Sequence, residues 1–381
     1  MQQFEVNPDP IGPSAPIHIE GARYALLADH SRSGIQKIGP RFVGSHARLC
    51  KHIQFLEIAQ EIASETLTQP SVKLPTAWHA EPQEMPRKHS TLKSFPGRAI
   101  LTVWLMFPNR VRIAAYTTLR KLGKLLYGGP EGWSTVQRLP FGLYLKYQGD
   151  PYMFRNEFNA LQMVRRYTAI PAPEPLDVIS PPWDMDDPHS SPRAYLLITR
   201  VSGVPLWRCQ DVLSDRGCAQ IAMDMKDYLS QLRHIPKTAN PDMAICNTLG
   251  EACRDPRICG EQPVGPFPDE AAFSQMLRFS DDPSRRRHKI VFTHADLNPR
   301  NILVGQITKS DGSTDWRVTG IVDWETGGYY PEYWDCTKAL FEGFRWTRRY
   351  NDLVKEIFNE LGDYSREIDI ETRSWESGDG V

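Results

Sequence analysis

Between residues 290 and 323 the chain carries a short apolar run, a loop dense in oxygen-bearing side chains, and two strand-like runs joined by a turn. Ile290, Val291 and Phe292 lead into the loop, and the stretch from His294 to Val304 reads HADLNPRNILV. Asp296 and Asn301 sit in it five positions apart. Ile302, Leu303 and Val304 predict a strand, Lys309 to Ser313 (KSDGS) is turn chemistry, and 316–322 predicts a second strand that ends at Asp323. If the two strands pair, Asn301 enters the hairpin where Asp323 leaves it, and the two become neighbours. An amide oxygen beside a carboxylate suits Mg2+, a hard cation that takes oxygen ligands. Asp296 is then free to accept a proton from a hydroxyl.

That spacing is also the one found in protein kinases, whose catalytic loop reads H-R-D-x-x-x-x-N, with Asp as base and Asn on magnesium, followed by a second metal-binding Asp. Here His294, Asp296 and Asn301 keep the spacing, and Asp323 follows after a hairpin-sized gap. Phosphoryl transfer needs such residues because the protein mainly positions the reactants and neutralises spread negative charge. It also needs a cation on the phosphates that stay behind. Lys146, at the end of GLYLK, is the candidate, and Glu157 in the following helix is placed to hold it.

The region before this loop predicts a small mixed lobe. Residues 110–126 read as a basic helix ended by Gly128 and Gly129, and 136–147 as two strands turning near Pro140, Phe141 and Gly142. Asp150 is a helix cap and Pro151 suits the first helical position. Phe154, Phe158 and Leu161 fall on one face of a helix running to Tyr167, and 194–201 predicts another strand. The apolar run AILTVWLMF at 99–107 predicts a buried strand or core segment, since nine residues cannot cross a hydrocarbon layer needing about twenty. Residues 205–365 read as mostly helical, with helices over 220–232, 332–344 and 350–361, and the tail from Glu371 reads as frayed. The expected division is an N-terminal extension and linker at 1–98, with an amphipathic helix over 51–67, an N-lobe at 99–201, a C-lobe at 202–365 and a flexible tail at 366–381.

Bulk properties exclude little but consistently. A formal net charge of -1 gives no electrostatic reason to expect nucleic acid or an acidic membrane as partner. The seven cysteines match no zinc-ligand spacing and read as free thiols of a reducing compartment. The first sixteen residues lack the apolar core of a signal peptide, so a cytoplasmic location is expected.

HADLNPRNILV and GIVDWETGGYYPEYWD, together with LPFGLYLK and NEFNALQMVRRYTAIPAPEPL, resemble the aminoglycoside/choline kinase-like phosphotransferases, and look like their fungal branch. The resemblance spans about 99–360. It implies an α+β, protein kinase-like two-lobed fold, with a small mixed β-sheet N-lobe and a larger, mainly helical C-lobe. It implies a Mg2+-dependent transfer of the γ-phosphate of ATP or GTP to a small-molecule hydroxyl. Asp296 would be the base, Asn301 and Asp323 the metal ligands, and Lys146 with Glu157 the phosphate clamp. Thr199 to Val201 would meet the purine ring, and His294 would be architectural. The partners implied are the nucleotide and a small-molecule substrate.

The chain departs from kinases in three places. No G-x-G-x-x-G is present, Trp324 follows the metal Asp, and Asn298 stands where protein kinases usually place a Lys. The stretch after Asp323 leaves no room for an activation loop. A catalytically silent kinase-like nucleotide-binding or scaffold module is the alternative reading. Tyr329, Tyr330, Tyr333 and Trp334 either wall a substrate pocket or pack the core, Glu325 either meets a metal or substrate amine or forms an ion pair, and Asp335 either faces the cleft or caps a helix.

Overall fold

The computed structural model describes residues 95–130, 134–181, 193–209, 211–258, 262–308, 312–341 and 346–377. The helix expected over 51–67 lies outside them, as does part of the 309–313 turn.

The N-lobe opens with two helices, α1 (Phe95–Met106) and α2 (Asn109–Tyr127). The 99–107 run is therefore helical rather than a strand. It is also mostly exposed, with Ile100 at 70% and Met106 at 79%. A short apolar run does not by itself separate a strand from a helix. Its anchor is Trp104, whose indole N–H donates to the Tyr116 hydroxyl at 2.9 Å. Tyr116 in turn donates to buried Asp177, which also pairs with Arg112 at 2.6 Å. Gly128 ends α2 with φ 80°, a backbone conformation that side-chain-bearing residues resist.

A four-stranded antiparallel sheet follows, built from β1 (Val136–Leu139), β2 (Leu143–Gly149), β3 (Pro175–Ile179) and β4 (Ala194–Thr199) in the order β1-β2-β4-β3. The expected turn between β1 and β2 is present at Pro140–Gly142. Helix α3 (Pro151–Tyr167) starts as predicted, with the Asp150 carboxylate accepting the Tyr152 N–H at 2.8 Å and Pro151 in the first turn. It buries Phe154, Glu157 and Leu161 on one face.

The C-lobe combines five helices with short strands among the described residues. Its helices are α4 (Asp215–Arg233), α5 (Glu270–Ser274), α6 (Trp334–Phe341), α7 (Arg348–Asn359) and α8 (Ser365–Glu376). Two small sheets accompany them. In one, β6 (Cys246–Asn247), β10 (Gly328–Pro331) and β7 (Ile290–Thr293) pair in that order. In the other, β5 (Val204–Pro205), β8 (Ile302–Thr308) and β9 (Thr314–Ile321) pair likewise. The 202–204 crossing brings the chain from β4 directly onto β8, through the pair Val204 and Val304. Gly320 on β9 packs so closely on this crossing that an added Cβ would lie 2.3 Å from a Val201 methyl.

The aromatic group after Asp323 belongs to the core. Tyr329, Tyr330, Tyr333 and Trp334 are at most 3% exposed, and the Tyr330 and Trp334 rings stack at 5.6 Å. The segment expected to fray is instead α8, and its Glu371 is fully buried between two buried arginines, 3.1 Å from each of Arg257 and Arg285. Local sequence gave no sign of this because both partners lie far upstream. Five cysteines are among the described residues, and all are free. Burial pushes the Cys253 thiol up to about 12, so it is an inert thiol.

Candidate active site

The hairpin places the predicted groups as its geometry requires. Ile302 of β8 faces Ile321 of β9, and the Val322 N–H donates to the Asn301 carbonyl at 3.0 Å. Asn301 and Asp323 therefore meet at one end of the hairpin. Asp323 turns out of β9 with φ 67°, a left-handed conformation that Asp tolerates better than most residues.

Lys146 reaches the same place from the N-lobe. It lies on β2 opposite Val136 on one side and Leu196 on the other, so its stem is inside the sheet and it is 7% exposed. Its ammonium is 2.6 Å from Glu157 Oε2, 2.5 Å from Asp323 Oδ1 and 3.7 Å from Glu325 Oε2. Burial alone would lower the Lys146 pKa, but these three carboxylates outweigh it and hold the group well above its ordinary value. Asp323 shows the reciprocal effect: burial would raise it, and Lys146 keeps it below the usual carboxylate range. Glu325 gains less from the lysine. Burial first, and then the neighbouring Asp323 charge, push it up to about 8.

Asp296 lies beside this cluster on the loop between β7 and β8. Its Oδ2 and its backbone carbonyl each accept from the Asn301 amide nitrogen at 2.9 Å. Both amide protons of Asn301 are thereby used, which leaves its Oδ1 as the atom available to a cation. Burial raises the Asp296 pKa, with Lys338 pulling the other way. His294 is architectural in geometry. It is fully buried, its Nε2 is 2.9 Å from the Val322 carbonyl, and its ring lies against Trp324 at 4.5 Å.

Asp335, at the start of α6, points neither into a cleft nor merely at its own helix. Its carboxylate accepts the His294 N–H at 3.2 Å and the Ala295 N–H at 2.8 Å. Two backbone donors of the loop are thereby fixed, including that of Ala295, whose φ is 61°. Thr199 is placed differently from the other predicted residues. Its N–H donates to the Glu174 carbonyl and its hydroxyl accepts the Glu174 N–H, at 3.0 and 2.8 Å. Its side chain and donor are thus committed to Glu174, and Val201, two residues on, packs against Gly320 of β9.

Oxygen atoms of Glu157, Asp323 and Glu325 lie within 4.8 Å of one another. This is an all-oxygen donor set of the kind that magnesium takes, and Asn301 at the same end of the hairpin has a side-chain oxygen to add to it. Glu325 and Lys338 were the parts sequence spacing did not assign. Glu325 lies two residues past Asp323, and Lys338 lies one turn beyond Asp335 on a helix, a D-x-x-K signal that gains meaning only once α6 is seen to meet the loop.

An antiparallel N-lobe sheet holding a lysine over a loop that bears Asp296 and Asn301, with Asp323 at the end of the hairpin after it, is the arrangement of the protein kinase-like class of fold. A profile of the phosphotransferase enzyme family (APH) matches residues 153–367, more than half of the chain, and the chain belongs to that family. No curated protein sequence matches it. Among solved structures, it is similar to the GDP and kanamycin complex of APH(2")-IIIa, at 15% identity over 67% of this chain and 87% of that one, with a TM-score of 0.44. It is also similar to APH(3'')-Id from Streptomyces rimosus, at 18% identity over 67% and 94%, with a TM-score of 0.41. A thermostable mutant of APH(4)-Ia in its apo form matches at 13% identity over 66% and 86%, with a TM-score of 0.40.

Proposed function

We propose that this protein transfers the γ-phosphoryl group of ATP or GTP to a hydroxyl of a small molecule. The observation that carries this reading is the convergence of Lys146 on Asp323 at 2.5 Å, with Asn301 held to Asp296 by its amide and joined through its carbonyl to Val322, the residue before Asp323. Four groups from two lobes meet where a phosphotransferase needs a phosphate cation, two metal ligands and a base.

Each residue has a role that its surroundings favour. Lys146, held by Glu157, binds the phosphates that remain on the nucleotide. Asp296 takes the proton of the acceptor hydroxyl, and a burial-raised pKa makes it a better base than an ordinary aspartate. Asn301 and Asp323 would hold Mg2+, which supplies charge neutralisation on the phosphates when bound. Glu325, pushed up to about 8 by burial and the Asp323 charge, is a further oxygen for that ion. Val201 lies on the connection where a purine edge would meet backbone.

The acceptor is a small molecule rather than a polypeptide. Directly after Asp323 the chain enters β10, which pairs with β7 inside the C-lobe, so no activation segment intervenes. Among the described residues, no helix is long and apolar enough to cross a membrane.

Incubation with MgATP or MgGTP and a panel of hydroxylated and aminated metabolites, read by mass spectrometry, tests the proposal. A mass gain of one phosphate that requires magnesium is expected. The competing reading, a silent nucleotide-binding or scaffold module, predicts no transfer. Absence of both transfer and thermal stabilisation at millimolar MgATP would overturn the proposal, because binding at 100 times Kd must add about 2.7 kcal/mol.

A further inference from the structure

Lys338 lies three residues beyond Asp335 on α6, so the two share one side of the helix. Asp335 uses that side to hold the loop backbone at His294 and Ala295. Lys338 uses it to reach the loop's carboxylate. Its ammonium is 3.3 Å from Asp296 Oδ1, and the side chain is 8% exposed. Its Nζ also lies 5.3 Å from the centre of the Phe341 ring.

The two oxygens of Asp296 are thus held by different donors, Oδ2 by the Asn301 amide and Oδ1 by the Lys338 ammonium. The loop supplies no cation of its own at its second position after Asp296. Asn298 stands there, with its amide nitrogen 3.3 Å from the Asp296 carbonyl and its oxygen accepting the Arg300 N–H at 3.0 Å. Lys146 is already shared among three carboxylates. Asp255 also lies within the field of Lys338, but Arg257 neutralises it directly at 2.9 Å. Burying an ammonium is costly unless its charge is used, and the carboxylate it meets is the one assigned to the chemistry.

We propose that Lys338 is a positioning residue of the phosphoryl transfer, supplying from α6 a positive charge on Asp296 that Asn298 at the loop's second position does not, and fixing the Asp296 carboxylate toward the acceptor hydroxyl. This rests on the phosphotransferase reading above. In the step it serves, the acceptor hydroxyl gives its proton to Asp296 as its oxygen bonds to the γ-phosphorus. The bond from that phosphorus to the bridging oxygen breaks, and the nucleoside diphosphate leaves with that electron pair. Lys338 takes no part in the bonds that form and break.

Hydrolysis of MgATP without added acceptor, with water in the place of the hydroxyl, provides the assay, and calorimetric titration with MgADP provides the second readout. Lys338→Met is expected to lower turnover on the order of 100-fold, the lower end of what a well-placed charged group contributes. The Kd for MgADP should stay within about twofold, because Lys146 is untouched. Lys338→Arg should recover much of the turnover, which restored packing alone would not do. Lys338→Gln repeats the comparison if the methionine variant does not fold. A wild-type protein that turns over MgATP while Lys338→Met matches it overturns the role of Lys338 alone, as does an arginine variant no better than methionine. A wild-type protein that binds MgADP without any turnover overturns the phosphotransferase reading, and this proposal with it.

Discussion

The Asn301 amide nitrogen donates to two oxygens of Asp296, one on its backbone and one on its carboxylate, each at 2.9 Å. The proposed base and the proposed metal ligand are therefore one unit: the group that orients the carboxylate is the same group whose remaining oxygen faces the cation. Asn301→Ala should disturb both. The magnesium concentration for half-maximal turnover should rise by about 10- to 100-fold, the usual consequence of losing a ligand or its support. A magnesium titration of initial rates checks this, and an unchanged midpoint would remove Asn301 from the metal site.

Asp296→Asn keeps the shape of the loop while removing the proton acceptor. Turnover should fall by roughly 10²- to 10⁴-fold, the range for a positioned general base. Affinity for MgADP, measured by calorimetry, should remain within about twofold. A variant with wild-type turnover would show that the acceptor hydroxyl needs no help from this residue.

Removing Lys146 strands a charge. The Glu157 side chain is 1% exposed and its partner is that ammonium. Lys146→Met should cost about 3–5 kcal/mol of stability, as breaking a buried pair does. Adding Glu157→Gln in the same chain should recover part of the loss, since the most deeply buried of the carboxylates left without the lysine is then neutral. Urea denaturation of the two single variants and the double variant closes the cycle. Strict additivity would show that the two groups do not interact.

His288 supplies a pH dependence away from the active site. Burial would lower its pKa, but Glu270 at 2.6 Å and Glu367 at 3.4 Å outweigh this and raise it to about 9. The folded state therefore holds a proton that the unfolded state releases near pH 6.5. The stabilisation is fully present below pH 6.5 and is lost as pH rises through 9, at most about 3 kcal/mol by linkage. The difference in stability between wild type and His288→Gln, measured from pH 6 to 10, should shrink across that window. A constant difference would mean that folding leaves the proton affinity of the imidazole unchanged.

Glu371 tests the status of the last helix. Its carboxylate bridges Arg257 and Arg285, and all three side chains are fully buried. Glu371→Ala should lower stability by about 3–5 kcal/mol by leaving two guanidiniums without their shared partner. A loss under about 0.5 kcal/mol, the size expected at an exposed position, would contradict its burial.

What could be read from the sequence was local. HADLNPRNILV and its hairpin were legible because one continuous stretch carries both the oxygen-bearing side chains and the strand pattern that brings them together. Lys146 and Glu157 were legible because Asp150 and Pro151 mark where the strand ends and the helix begins. Lys338 and Asp335 were not placed, since their partners lie some forty residues upstream and only the packing of α6 on the loop joins them. The same holds for Glu371, whose arginines are 114 and 86 residues away. The apolar run at 99–107 was misassigned because its composition fits a strand, while a single anchored tryptophan lets it coil into a helix with most of its apolar side chains facing outward.

The left-handed turn at Asp323 also shapes how such a protein would decay. Glycine, asparagine and aspartate are the residues at ease with a φ of 67°. Lineages that abandon turnover would then pass through Asn or Gly at this position far more readily than through Ala or Val, because those would distort the hairpin exit as well as silence it. A descendant that keeps the fold and loses the chemistry should bear that signature.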